Sequence, residues 1–272
     1  MKKIYLMLMV LCFQNSIVLA KENKITPQIY EVFDLSHDKI LESKNENKVH
    51  SMASLTKLMT TYTFIKNYKG NLNNCIGVIT DEDDDELKHT TTRIEKNRTI
   101  SCYDLLQIMM LVSDNYAASA LAGSMPGLNR DDFYELMNKE AEKLGMKNTY
   151  YKDSSGLEFE NKTTANDLIK LIKSSLENEK IKSLSSQYAV QMKVDGKTIL
   201  FKNSNKLIRE NLYETELSKT GYIKESGYNL IFVPKGYCEN RKIAIVIMGS
   251  ASSNNRASFA SELLEKYHCE KK

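Results

Sequence analysis

Ser54 and Lys57 are the first residues in this sequence whose types and spacing could perform chemistry. A serine hydroxyl becomes an effective nucleophile only when a neighbouring base removes its proton. The apolar spacing predicts a helix over 54–68, which would place both side chains on one face. Lysine could serve as that base if burial and positive neighbours lower its pKa towards neutrality. Taken alone, the pair is more simply read as a helix-capping serine and a surface lysine.

A polar tripeptide, Ser113-Asp114-Asn115, interrupts an apolar stretch with helical spacing over 102–122. One interpretation is a turn between two helices, with Asn115 capping the second helix. The functional interpretation is that Ser113 passes a proton to a departing amine while Asn115 holds a substrate amide. The tripeptide by itself does not decide between them.

A third segment, Lys219-Thr220-Gly221, leads directly into Tyr222. On an edge strand, Lys219 would supply fixed positive charge and Thr220 would offer a hydroxyl to a substrate carboxylate. Gly221 would let a substrate backbone approach closely, because it has no side chain. An ordinary turn between strands is a fair alternative when the triplet is considered alone.

Together these segments form the S-x-x-K, S-x-N and K-T-G set, in the order typical of penicillin-binding proteins and serine β-lactamases. The sequence after residue 20 resembles the low-molecular-mass penicillin-binding proteins, the D-alanyl-D-alanine carboxypeptidase and endopeptidase family. The closest matches to the family pattern are 53–60 (ASLTKLMT), 144–149 (LGMKNT) and 164–167 (TAND). Two further stretches resemble the endopeptidase branch of the family more narrowly, namely 203–209 (NSNKLIR) and 217–223 (LSKTGYI).

The resemblance implies that Lys57 deprotonates Ser54, which then attacks a D-alanyl carbonyl and forms an acyl-enzyme. The backbone N–H groups of Ser54 and Tyr222 would bind the oxyanion. Ser113, poised by Lys219, would protonate the leaving amine. The implied partners are peptidoglycan stem peptides, with β-lactam antibiotics as covalent inhibitors, and neither a metal nor a cofactor is expected. The residues expected to bind the substrate are Asn115, Thr220, Gly221 and Tyr222.

The resemblance favours a DD-endopeptidase that cleaves D-alanyl cross-links, with a D-alanyl-D-alanine carboxypeptidase as the nearest alternative. A class A-like β-lactamase would carry a Glu-x-x-Leu-Asn element between the second and third motifs. Residues 158–161 read EFEN instead, without the leucine and with the wrong spacing. A non-catalytic peptidoglycan-binding protein of the same fold would show a broken motif, and all three motifs are intact.

The first twenty residues have the features of a signal peptide. Lys2 and Lys3 precede an apolar run over 4–13, and the segment ends on Ala20. That run is too short for an ordinary membrane-spanning helix. An exported, periplasmic protein without a membrane span is therefore expected, with 21–272 as a single catalytic domain. The formal net charge of +3 falls close to zero once the two lysines are removed, so nothing indicates nucleic-acid binding.

Cysteine usage suits an exported protein. Four cysteines follow residue 20, an even number that permits two disulfides in an oxidising compartment. Proximity in the sequence favours pairing Cys75 with Cys102 and Cys238 with Cys269, although free buried thiols are an alternative.

The predicted elements run as a strand hairpin, a helical middle, further strands and a closing helix. This order predicts an α+β fold in which an antiparallel sheet is flanked by N- and C-terminal helices. The helical middle, roughly 70–195, is interpreted as an all-helical subdomain inserted in a β-lactamase/transpeptidase-like fold. The acidic run over 81–86 is interpreted as a solvated loop. The other predicted helices lie at 131–144, 163–175 and 256–267, and the strands at 28–35, 198–201, 228–233 and 243–248.

Overall fold

The computed structural model describes residues 26–87, 90–194, 197–236, 238 and 240–268. The predicted signal peptide at 1–20 lies outside them. The strands are β1 (Ile29–Asp34), β2 (Lys39–Lys44), β3 (His50–Ser51), β4 (Ile76–Val78), β5 (Thr99–Ser101), β6 (Lys162–Thr163), β7 (Ala189–Val194), β8 (Lys197–Lys202), β9 (Thr215–Ile223), β10 (Gly227–Pro234) and β11 (Ile243–Ser250). The α-helices are α1 (Thr56–Asn67), α2 (Asp81–Leu87), α3 (Cys102–Leu111), α4 (Asn115–Ala122), α5 (Arg130–Lys143), α6 (Ala165–Leu176), α7 (Glu179–Ser186), α8 (Lys206–Arg209) and α9 (Ser253–Tyr267).

A five-stranded antiparallel sheet, ordered β2-β1-β11-β10-β9, forms the frame. Its central strand, β11, is apolar along most of its length because both of its faces are covered. Ala244, Val246 and Met248 point into the hydrophobic core on the side of the helical region. Ile245 and Ile247 point into a second core on the opposite face. This alternation is the strand period of two residues, with both faces buried.

Helices cover both faces of the sheet, as the predicted α+β fold requires. Helix α9 packs on β10 and β11 through Ala260, Leu263 and Leu264. Helix α6 packs on β1, β9 and β11 from the other side. Strand β9 therefore remains as an edge strand, and the short 3₁₀ turn Ala53–Leu55 packs against it and against β10.

The predicted helical middle contains α2 to α7, together with the short strand pair β4–β5, strand β6 and the beginning of the β7–β8 hairpin. The predicted break in the stretch 102–122 is present, since α3 ends at Leu111 and α4 begins at Asn115. Thr164 caps α6, because its side chain accepts a hydrogen bond from the Asp167 backbone N–H. The boundaries of the inserted subdomain remain a prediction. Among the described residues, no helix is long and apolar enough to cross a membrane.

The acidic run does not form the predicted solvated loop. It forms α2, and the carboxylate of Asp83 is fully buried. Asp83 accepts hydrogen bonds from the Thr80 backbone N–H at 2.7 Å and from the Arg130 guanidinium at 2.7 Å. Acidic residues near a helix N-terminus are stabilised by the helix dipole. The acidic run therefore favours the start of a helix at this position. The prediction was wrong because Arg130, far away in sequence, supplies the compensating charge.

The predicted pairing of Cys75 with Cys102 is confirmed. This disulfide joins the segment before β4 to the first residue of α3, so it fixes the helix that ends beside Ser113. The second predicted pairing involves Cys269, which lies outside the described residues.

Candidate active site

Ser54 lies in the 3₁₀ turn immediately before α1. The turn is tightly bent, with Ala53 in the left-handed region at a φ of 47°, and the Thr56 hydroxyl donates a hydrogen bond of 2.8 Å to the Ala53 carbonyl. Lys57 follows within the first turn of the helix. Its Nζ lies 3.0 Å from Ser54 Oγ, so the two side chains share one face as predicted.

Lys57 is completely buried. Its Nζ also donates hydrogen bonds to Asn115 Oδ1 at 2.7 Å and to the Ser155 carbonyl at 2.5 Å. Burial lowers the pKa of Lys57 to about 7, although the carboxylates of Asp153 and Asp114 act in the opposite direction. A substantial fraction of the amine is therefore neutral near pH 7, and a neutral amine has one lone pair and two N–H donors.

The turn between α3 and α4 brings Ser113 to the same place. Ser113 has a φ of 65°, a left-handed conformation that is uncommon for a residue other than glycine. Asp114 stabilises this conformation from the next position. It caps α4 by accepting a hydrogen bond from the Ala117 backbone N–H at 2.9 Å, and it accepts another from the Thr92 hydroxyl at 2.8 Å. One of the two interpretations of the tripeptide had Asn115 as the cap, but Asp114 is the cap, and the Asn115 side chain contacts Lys57 instead.

Strand β9 supplies Lys219, whose side chain is almost completely buried. Its Nζ donates hydrogen bonds of 2.8 Å to Ser113 Oγ and to the Thr220 carbonyl. Burial, together with the positive charges of Lys57 and Arg256, lowers the pKa of Lys219 well below its ordinary value. The positive charge that the sequence led us to expect on Lys219 is therefore unfavourable until an anion lies near the ammonium group.

Gly221 lets β9 lie directly against the nucleophile turn. A methyl group at this position would stand 3.0 Å from the Met52 carbonyl oxygen and 3.0 Å from the Ser54 backbone nitrogen. Both contacts are tighter than ordinary van der Waals packing. The strand and the turn can approach this closely only without a side chain, which is a physical reason for glycine in the third motif.

Gly156 fits against the opposite side of the same turn. It has a φ of 83°, and a methyl group there would overlap the carbonyl group of Ala53. Asp153 fixes this loop, because its buried carboxylate accepts hydrogen bonds from the backbone N–H groups of Ser155 and Gly156. The loop in turn directs the Ser155 carbonyl at Lys57.

We expect Gly156→Ala to lower the free energy of unfolding by more than about 2 kcal/mol, since it combines a left-handed backbone with overlap on a backbone carbonyl. The matched control is Gly145→Ala. Gly145 has a similar φ of 71°, but a methyl group there meets nothing within 4 Å. The control should therefore cost only the conformational penalty of about 1 kcal/mol. Denaturant unfolding of both variants measures the difference, and equal losses would contradict the close approach of the 153–157 loop.

A cleft of about 320 Å³ opens over these groups. Of the predicted site residues, Lys57 and Lys219 lie buried beneath it and the other six line its wall. Sequence reasoning did not place Leu157, Tyr228, Ser253 or Arg256 in the site. The residues that line the cleft are Ser54, Ser113, Asn115, Leu157, Thr220, Gly221, Tyr222, Tyr228, Ser253 and Arg256.

Arg256 gives the cleft a positive charge. Its guanidinium donates a hydrogen bond of 3.1 Å to the Asn229 carbonyl and is 5% exposed. Burial lowers the pKa of Arg256 to about 10, so the group stays protonated at neutral pH. Thr220 lines the same cleft, with its hydroxyl 2.7 Å from the Ser204 hydroxyl. Arg256 begins the helix predicted over 256–267, but no local pattern in the sequence marked it as part of the site.

This geometry agrees with what the sequence is similar to in known proteins. The family model described as D-alanyl-D-alanine carboxypeptidase matches residues 17–252, which is most of the chain. The chain belongs to this peptidase family. The family predicted from the three motifs is thereby confirmed, and the prediction of an enzyme with it.

Two relatives show where the chain lies within the D-alanyl-D-alanine carboxypeptidase family. It is 43% identical to the D-alanyl-D-alanine endopeptidase of Haemophilus influenzae over 242 residues, 89% of this chain and 82% of the relative. It is 30% identical to the D-alanyl-D-alanine endopeptidase of Escherichia coli, over 85% of this chain and 74% of the relative.

A solved structure confirms the predicted fold. The Streptomyces DD-transpeptidase superposes with a TM-score of 0.80 at 23% identity, covering 89% of this chain and 96% of the other.

Proposed function

We propose that this family member is a serine DD-endopeptidase that cleaves D-alanyl cross-links in peptidoglycan through an acyl-enzyme on Ser54. One observation carries the proposal. The buried Lys57 amine directs hydrogen bonds to Asn115 Oδ1 and the Ser155 carbonyl, and its third contact is Ser54 Oγ at 3.0 Å. In the neutral amine, the two acceptors take both N–H groups, so the lone pair faces the serine hydroxyl and can accept its proton.

Attack by Ser54 Oγ on a D-alanyl carbonyl then produces a tetrahedral intermediate with a negatively charged oxygen. The backbone N–H groups of Ser54 and Tyr222 are the proposed donors to this oxygen. The close approach of Gly221 to the Ser54 nitrogen supports the assignment, because it holds the two backbone segments together. Ser54 also lies at the N-terminus of α1, where the helix dipole stabilises a developing negative charge.

Collapse of the intermediate requires a proton on the departing amine. Ser113 is the proposed donor, and Lys219 replenishes its proton through their 2.8 Å hydrogen bond. The lowered pKa of Lys219 suits such a relay, since the ammonium group gives up a proton readily. The proton that Lys57 took from Ser54 then passes through Ser113 to the deprotonated Lys219, so Lys57 is neutral again. Water attacks the ester, and Lys57 accepts a proton from the water and returns it to Ser54 Oγ as the ester bond breaks. Asn115 orients both Lys57 and the substrate amide.

The leaving residue of either candidate reaction carries a free carboxylate, and the cleft offers it a binding site. Arg256 supplies a positive charge, and Thr220 supplies a hydroxyl. A carboxylate bound there would also raise the pKa of Lys219 and favour its charged form. This arrangement favours a leaving residue with a free carboxyl group next to the scissile bond, but it does not distinguish a cross-link from a terminal D-alanine.

The endopeptidase assignment is supported by the relatives, since the two described above are both D-alanyl-D-alanine endopeptidases and both align over most of the chain. The substrate would be the stem peptides of peptidoglycan, and β-lactam antibiotics would acylate Ser54. The family and the sequence of residues 1–20 support an exported, periplasmic location. Carboxypeptidase activity is the second candidate, because the family as a whole is described by that reaction.

Purified cross-linked muropeptide dimers and pentapeptide monomers, incubated separately with the enzyme and followed by chromatography with mass spectrometry, test this function. We expect dimers to be converted to monomers faster than pentapeptides lose their terminal D-alanine. Trimming of pentapeptides with intact dimers would establish the carboxypeptidase instead, and inertness towards both would refute the DD-peptidase.

Intact-mass spectrometry after mixing with penicillin tests the β-lactamase alternative. Among the described residues that line the cleft, none is an aspartate or glutamate that could activate a deacylating water. We therefore expect the penicilloyl adduct to persist. Rapid return to the unmodified mass would indicate a β-lactamase.

A further inference from the structure

Three planar side chains that line the cleft form a stack. The guanidinium of Arg256 lies 5.8 Å from the centre of the Tyr228 ring. The rings of Tyr228 and Tyr222 are stacked, with centroids 4.2 Å apart and an interplanar angle of 28°. Tyr222 is the outermost layer, and its side chain is 51% exposed.

This exposed ring is unusual for its position. Among the large apolar side chains that are exposed on the described residues, Tyr222 alone lines the cleft. Exposed aromatic rings beside a binding site are frequent sites of ligand contact, since they bury a large area on binding.

The stack holds the Tyr222 ring in place before any substrate arrives. Tyr222 and Tyr228 are directly paired across the antiparallel strands β9 and β10, so their side chains emerge on one face. A rigid ring loses little conformational entropy when a ligand covers it. Strand position therefore fixes the backbone N–H of Tyr222, while the stack fixes its side chain.

The stack begins at Arg256, which belongs to the proposed site for the carboxylate of the leaving residue. In a carboxypeptidase reaction the leaving group is a free D-alanine, which ends at its carboxylate. In an endopeptidase reaction the amine belongs to a residue that carries the same carboxylate and then continues into a second stem peptide. Only the larger leaving group has atoms to place beyond Arg256 and Tyr228.

We propose that the Tyr222 side chain is a specificity-determining platform for the leaving peptide strand of a cross-linked substrate, contacting the chain just beyond its carboxylate. The proposal rests on the DD-endopeptidase function above and adds the feature that selects a peptide over a free amino acid as leaving group. The platform takes the methylene and amide faces of that chain, which pack well against an aromatic ring.

The test is the ratio of two rates in one preparation, the kcat/KM for dimer cleavage divided by the kcat/KM for removal of D-alanine from pentapeptide. Tyr222→Ala is expected to lower this ratio at least fivefold, the size of a typical aromatic anchor contact. Tyr222→Phe keeps the ring and should keep the ratio. Tyr222→Leu retains bulk over Tyr228 without a flat face, and provides the same comparison should the alanine variant be unstable.

The matched control is Tyr150→Ala, because Tyr150 is equally exposed, at 52%, but does not line the cleft. Its ratio should equal that of the wild type. The rate of acylation by penicillin, measured on each variant, reports whether the backbone around Tyr222 is intact. A parallel fall in both peptidase rates, with an unchanged ratio, would overturn the platform. Failure of the wild-type enzyme to cleave dimers would instead overturn the endopeptidase assignment, so the two failures are distinguishable.

Discussion

Replacement of Ser54 by alanine is expected to reduce cleavage of cross-linked dimers by a factor of about 10³ or more. The hydroxyl is the proposed attacking group, and the Lys57 amine 3.0 Å away then has no proton to accept. Binding residues such as Arg256 remain, so the variant should still bind substrate. Chromatographic assay of dimer cleavage measures the rate, and intact-mass spectrometry with penicillin should detect no covalent adduct.

Ser51→Ala is the matched control. Ser51 is a buried serine three residues earlier in the chain, and its hydroxyl has no hydrogen-bond partner among the described residues. Loss of that hydroxyl removes no proposed interaction, so dimer cleavage and penicillin labelling should both continue. Undiminished cleavage by Ser54→Ala, or a penicillin adduct of normal yield on it, would contradict the nucleophile assignment.

The sequence predicts the reactive side chains of this site better than it predicts the contacts that hold them in position. Three short motifs identify Ser54, Ser113 and Lys219. Each of these residues carries the hydroxyl or amine that the proposed reaction needs, so its type alone marks it in the sequence. The spacing of Ser54 and Lys57 also specifies their common face, since a helix places residues three apart side by side. Local patterns of this kind are visible in a single sequence.

The supporting contacts join residues that are distant in the chain, and a local pattern cannot show them. Thr92 contacts Asp114, and Ser155 contacts Lys57, only after the helical region has packed. The acidic run over 81–86 was interpreted from its charge alone, whereas the buried Asp83 is compensated by Arg130. Arg256 lies near the end of the chain and reaches the cleft only because α9 packs against β10.

Two buried lysines in one site carry a cost in stability, since burial disfavours the ammonium form. The same burial gives Lys57 the lowered pKa that the proposed reaction requires. In water, the amine of a lysine is protonated at neutral pH and cannot act as a base. Burial beside Asn115 and Ser155 converts Lys57 into a group that changes charge near neutral pH. The carboxylates of Asp153 and Asp114 limit the effect, so the pKa reflects a balance between burial and these two charges.

This balance makes a prediction about pH. Only the neutral amine of Lys57 can accept the Ser54 proton, and the pKa of Lys57 is lowered to about 7. The second-order rate of acylation by penicillin should therefore rise as pH increases through about 7 and level off above it. Lys57→Arg should be slower by a factor of about 10³ across the whole range, because a guanidinium does not lose its proton at these pH values.

The Asp114→Asn variant tests the assignment of this titration to Lys57. It removes a negative charge that raises the pKa of Lys57, while the amide oxygen can still accept the capping hydrogen bond from the Ala117 backbone N–H. The rising limb of the pH profile should therefore move to lower pH. Asp104→Asn, a similar change in the first turn of α3, should leave the limb in place. A limb that does not move in Asp114→Asn, or that moves to higher pH, would mean that another group controls the reaction. The comparison of the two variants assigns the titration to a group beside Asp114, because removal of a carboxylate lowers the pKa of a neighbouring group and leaves a distant one unchanged. Lys57 is such a group, since the Asp114 carboxylate raises its pKa.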